Sequence, residues 1–178
     1  MAYTGAVTVG GPPDVRELVG LTLSKLAVGP MDNNAYLLRC PKTGDLLLVD
    51  AANDADRLLE LIGGGPLRTI VTTHGHWDHW QALAEVQAKT GAEVLAHPDD
   101  AGGQLASSPH LFTGDSLFPG GLGNTDHDPE RFGQLMDDLE GRVFAKLPDA
   151  TWVYPGHGKD TTLGAERPHI PEWRTRGW

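Results

Sequence analysis

The stretch Thr72-Thr-His-Gly-His-Trp-Asp-His-Trp80 places His74, His76, Asp78 and His79 close together in the chain. Regular periodicity does not explain this density, because a strand sends only alternate side chains to one face. On a loop leaving a strand, His74 and His76 could turn toward one metal ion, and Asp78 and His79 toward a neighbouring one. Imidazole nitrogens and carboxylate oxygens suit zinc, and also iron or manganese. The remaining donors must come from elsewhere. Asp115 follows the apolar run Leu111-Phe112-Thr113-Gly114, and His157 sits in Pro155-Gly156-His157-Gly158 after Thr151–Tyr154. Each stands just past a short apolar strand and beside a glycine. If these strands share an orientation, their carboxyl ends converge at one edge, where open α/β sheets place their chemistry.

The elements needed to position these residues are readable. Leu23–Gly29, Asn34–Cys40 and Leu46–Val49 have strand character, with a turn at Pro41–Asp45. Ala55, Leu58, Leu59 and Ile62 form a helical stripe that Asn53 can cap and Gly63–Pro66 stops. Thr69–Thr73 is a strand that delivers the histidine cluster. A helix carrying Leu83, Ala84 and Ala88 follows from about Trp80 to Thr90, and Glu93–Ala96 is a further strand. Pro98–Pro109 has no periodicity and reads as a loop. Asp128 before Pro129 starts a helix whose buried stripe is Phe132, Leu135, Met136 and Leu139. The tail from Glu166 to Trp178 shows no clear helix. Alternation of strands and helices predicts an α/β fold, and the length predicts one domain spanning residues 1–178.

The net charge is -10, from 14 basic and 24 acidic residues, which disfavours nucleic acid or an anionic membrane as partner. The single cysteine, Cys40, excludes an intrachain disulfide and the Cys-rich zinc classes. MAYTGAVTVGGPPDV reads as no secretory signal, and no segment has the length and apolarity of a membrane span. A cytoplasmic location is expected.

Three motifs, THGHWDHW at Thr73–Trp80, FTGDSLF at Phe112–Phe118 and PGHG at Pro155–Gly158, resemble those of the metallo-β-lactamase superfamily, in particular its small glyoxalase II-like hydrolases. The resemblance extends from about Lys25 to Glu166. It implies an αβ/βα sandwich with the site at one edge of the two sheets. It also implies a two-ion centre, with zinc foremost and iron or manganese as alternatives. His74 and His76 would hold the first ion, and Asp78, His79 and His157 the second. Asp115 would bridge both, and a water between the ions would be the nucleophile. Asp78 and Asp115 thereby gain catalytic as well as ligand roles. Asp50 matches an aspartate that supports such sites from behind the ligands, although a capping or turn role fits it equally.

The resemblance breaks at one point. Only 35 residues separate His79 from Asp115, where family members carry two or more further strands and a histidine, within a GHTPG-like segment, for the first ion. His97 and His110 are weak substitutes. A genuine loss of that segment would remove strands as well as a ligand and leave core and strand edges bare. A segment missing from this chain, and not from the natural protein, is the favoured explanation. Without it, the first ion keeps only His74, His76 and the bridge.

The resemblance implies hydrolysis of a thioester or related small acyl compound. The alternatives are a mononuclear iron persulfide dioxygenase and a non-catalytic metal-binding protein. A tail without the helical domain that holds glutathione in true glyoxalase II enzymes makes that substrate doubtful. Trp77 and Trp80 are expected to pack beside the sheet edge, with a wall for an acyl group as the alternative, and the glycine-rich 118–123 run either borders the pocket or serves tight turns. Thr161 and Thr162 either line the mouth of the site or cap a turn. Nothing in the sequence fixes the oligomeric state.

Overall fold

The first strand runs pair in the order they occur. In a computed structural model, which describes residues 3–96 and 110–177, β1 (Asp14–Leu18), β2 (Leu21–Val28), β3 (Asn33–Arg39) and β4 (Leu46–Val49) are successive antiparallel neighbours. The chain then crosses over α1 (Ala55–Ile62) to β5 (Leu67–Thr72), and over α2 (Leu83–Thr90) to β6 (Glu93–Ala96). β4, β5 and β6 run parallel, as helical crossovers allow. Beyond residue 109, β7 (His110–Gly114) precedes a small hairpin of β8 (Leu117–Phe118) and β9 (Gly121–Leu122), then α3 (Pro129–Asp138). β10 (Trp152–Pro155) lies parallel to β7, and β11 (Thr161–Thr162) pairs antiparallel on its other side. α4 (Leu163–Glu166) and α5 (Ile170–Arg176) follow.

Side-chain alternation sorts these elements into layers. In β3, Ala35 and Leu37 point one way, joining Leu26, Val28, Leu48 and Ile70 against Leu58, Ile62 and Val86 of the helices. Tyr36 and Leu38 point the other way, meeting Leu23, Val49, Phe112 and Tyr154 between the two sheets. The far face of the second sheet buries Val153 against Phe132, Met136 and Trp173. Both faces of β3 are therefore covered, which is why its residues are apolar without a polar alternation. The layers run helix, sheet, sheet, helix: an αβ/βα sandwich, as the resemblance implied.

Several local expectations are corrected. Asp54, not Asn53, is the N-cap of α1, in the left-handed region at φ 50. Asn53 instead accepts from Asp54 N at 2.8 Å and donates to Gln81 at 2.7 Å. The tail holds helical turns, and Trp173 within it is 1% exposed. Asp128 caps α3 as expected, accepting from Glu130 N at 2.9 Å. Thr162 caps α4 through a 3.3 Å bond from Ala165 N, and Thr161 donates to Glu166. Both threonines are therefore committed to the fold.

Candidate metal centre

Four strand ends converge where the two sheets meet. β4 ends at Val49 before Asp50, and β5 at Thr72 before the histidine cluster. β7 ends at Gly114 before Asp115, and β10 at Pro155 before His157. An antiparallel bridge between Asn33 and His157 joins the sheets at this edge. Parallel pairing of β4 with β5, and of β7 with β10, puts these carboxyl ends on one side.

All six residues singled out in the sequence meet there, in two groups that could each hold a metal ion: His74, His76 and Asp115, and Asp78, His79 and His157. Asp115 lies between the groups. Its Oδ2 is 3.6 Å from His74 Nε2 and 3.6 Å from His157 Nε2, while its Oδ1 is 3.5 Å from His79 Nε2. In the second group, His79 Nε2 and His157 Nε2 stand 3.3 Å apart, and each faces Asp78 Oδ2, at 3.7 and 3.5 Å. A tetrahedral ion with ~2.1 Å bonds needs donors ~3.4 Å apart, so the spacing fits. Asp115 Oδ1 is buried with no hydrogen bond of its own, an open acceptor that a cation would satisfy.

The rings are aimed from behind. Asp50 Oδ2 accepts from His79 Nδ1 at 2.8 Å and from the Thr73 hydroxyl at 2.8 Å. Thr73 Oγ1 lies 3.1 Å from His74 Nδ1, and Met31 O accepts from His157 Nδ1 at 2.9 Å. With Nδ1 engaged in each of these three rings, Nε2 is left facing the cluster. Asp50 holds this place in a left-handed backbone at φ 57, and its Oδ1 also accepts from Thr73 N at 2.8 Å, so it anchors the turn as well as the His79 ring. Asn33 was not legible as a site residue, yet its Nδ2 donates to Asp78 Oδ2 at 2.8 Å.

Charge follows this geometry. Burial by itself would lower the His79 pKa, but the Asp115 and Asp50 carboxylates more than reverse it and push it up to about 10. Burial would raise Asp115 and Asp78. The His74 and His79 rings hold Asp115 well below the usual carboxylate range, and the Asn33 amide holds Asp78 down.

Gly156 shows how tight the centre is. A Cβ there would lie 2.5 Å from Asp115 Oδ1 and 2.6 Å from His79 Cε1. A cavity of about 380 Å³ opens beside the first group, lined by His74, His76, Asp115, Asn124, Thr125 and Arg131. The 124–126 segment forms part of its wall. Trp77 and Trp80 are 58% and 44% exposed, so they flank the cluster without the packing expected of them. His110 is buried against Tyr154, its Nδ1 2.8 Å from the phenol oxygen, and takes no part in the centre. His97 lies outside the described residues.

Residues 28–104 match the profile of the metallo-beta-lactamase superfamily. The chain belongs to that superfamily. Among superfamily relatives, the hydroxyacylglutathione hydrolase of Polaromonas sp. (strain JS666 / ATCC BAA-500) is 30% identical, over 70% of this chain and 62% of its own length. The chain thus spans less than two thirds of that relative. ETHE1 from Myxococcus xanthus shares the fold with a TM-score of 0.69 at 25% identity, covering 84% of this chain and 83% of its own. TTHA1623, solved in a di-iron-bound form, does so at 0.64 and 26%, covering 80% and 96%.

The alignment to the Polaromonas protein also measures the shortfall. It runs over 165 positions but takes in 70% of the 178 residues here, about 125, so about 40 positions of the relative have no counterpart. That is enough for the strands and ligand histidine expected between His79 and Asp115. Even so, His110 and Leu111 at the start of β7 are only 2% and 4% exposed, so the core is not bare at this strand.

Proposed function

We propose that this chain is a metal-dependent hydrolase of thioesters or related small acyl compounds. The observation that carries the reading is the pair of donor groups sharing Asp115 at four converging strand ends. Its relationship to a hydroxyacylglutathione hydrolase supports the substrate class. Zinc is the first choice for this nitrogen and oxygen donor set. Iron is the second, and TTHA1623 in its di-iron-bound form supports it. Asp78, His79, His157 and Asp115 would hold one ion, and His74, His76 and Asp115 the other. Bound there, divalent ions would supply an activated water near neutral pH and polarise an acyl carbonyl.

The chain's own groups do the rest. Asp50 fixes the His79 tautomer, and Asn33 fixes the Asp78 carboxylate. Thr125, Asn124 and Arg131 line the cavity beside the first group, where an acyl compound would lie. The net charge of -10 supports a small acyl compound over a nucleic acid as partner, and the single cysteine fits a cytoplasmic setting.

Metal-stripped and zinc-reloaded protein should be compared on acyl thioesters of glutathione and of N-acetylcysteamine. Hydrolysis is expected only after reloading, and Asp115→Asn should lower it about a hundredfold. Reloaded protein that bound zinc and hydrolysed no thioester would support a second reading, a metal-binding protein without this chemistry. The three-donor first group favours that alternative among the described residues. Persulfide-dependent oxygen uptake by iron-loaded protein would move the assignment to a dioxygenase.

A further inference from the structure

Behind His157 lies a buried ion pair that the site described so far does not use. Lys25 in β2 and Asp160, just past the PGHG turn, both have fully buried side chains and are hydrogen-bonded to each other. Every polar atom of the pair is occupied. Lys25 Nζ also donates to Gly158 O at 3.0 Å and Gly5 O at 2.8 Å. Asp160 accepts from Tyr3 OH at 2.7 Å and Trp152 Nε1 at 3.2 Å, and Tyr36 OH stands 3.4 Å from its Oδ1.

The bonds from the first sheet fall on the backbone that carries His157. Pro155 O accepts from Tyr36 OH at 2.9 Å and Asn34 Nδ2 at 3.1 Å, and Gly156 O from Asn34 N at 2.8 Å. Gly158 O takes Lys25 and, at 3.0 Å, Asn34 Nδ2. The carbonyls on both sides of His157 are thus held from β2 and β3, while Met31 holds its ring. A buried ion pair is a costly way to add stability, and an apolar pair often does as well; a role in fixing one geometry gives it a purpose.

We infer that Lys25 and Asp160 are positioning residues: their ion pair locks the PGHG turn to the first sheet and so sets His157 for the metal ion shared with Asp78 and His79. The inference rests on the two-ion reading of the site. Removing both charges together, in Lys25→Met/Asp160→Asn, avoids leaving one buried charge unpaired. Zinc affinity of the two groups would be read by chelator competition, with circular dichroism and thermal melting on the same samples.

The double variant should fold and lose at least about tenfold in affinity at the tighter site, with the weaker site unchanged. In a His157→Ala background the same two changes should cost nothing further, which a general loss of stability would not reproduce. Wild-type affinity at both sites, equal weakening of both, or full additivity with His157→Ala would overturn the inference. Wild-type protein that bound no zinc would instead overturn the two-ion reading, and the inference with it. If the double variant does not fold, Tyr36→Phe gives the same test. That change removes one hydroxyl from the network, so about threefold weaker binding confined to the tighter site is expected, and unchanged binding overturns the inference.

Discussion

At the scale of single residues, the centre is set by what has no room to move. Gly156→Ala would drive a methyl into Asp115 Oδ1 and His79 Cε1. Zinc affinity should drop at least about tenfold, read by competition with a chromophoric chelator, because displaced donors weaken a metal site steeply. Asp50→Asn should weaken zinc by about 10–100-fold on the same assay, since the amide no longer enforces the His79 tautomer. His79 also makes a prediction about protons. In metal-free protein its pKa of about 10 lies above the ordinary 6.5. The charged ring therefore stabilises the metal-free fold fully below about pH 6.5, and that contribution is lost as pH rises through about 10. The metal-free Tm should fall between pH 7 and 10. Zinc binding at pH 7 should release about one proton from this ring, read by calorimetry in buffers of different ionisation enthalpy. A Tm that rose over that range, or heats that ignored the buffer, would contradict the assigned contacts.

At the scale of elements, the site is built where strands stop. The six candidate ligands were legible because each follows a short apolar run and stands within a compact motif. Asn33, Lys25 and Asp160 were not, since each is a single polar residue whose partners come from distant parts of the chain. β1 was not legible because an edge strand with a half-exposed face leaves little apolar signal. Nor were the tail helices, because α4 and α5 have only 4 and 7 residues, too few for a helical period to show. Trp173 nonetheless anchors α5 in the core beside Phe144 and Met136. Trp173→Ala should cost about 3–5 kcal/mol in urea unfolding, the usual range for a large buried aromatic. A loss under about 1 kcal/mol would show that the tail is only loosely joined to the core.

At the scale of the molecule, the two halves contribute unequally to one centre. The first sheet supplies the histidine cluster, Asp50 and the residues that hold the PGHG turn, while the second supplies Asp115 and His157. In the two-ion reading, Asp115 joins Asp78, His79 and His157 as a fourth donor at the second group, while the first has three among the described residues. The sequence made this imbalance visible through its short interval of 35 residues between the cluster and Asp115. Loading should accordingly be stepwise. The most direct test is native mass spectrometry of metal-stripped protein titrated with zinc, run beside the Asp115→Asn variant. One ion should bind tightly and a second only at higher zinc, with the variant weakening both steps. A single step for both ions, no zinc uptake, or uptake indifferent to Asp115 would contradict a two-ion centre built around that carboxylate.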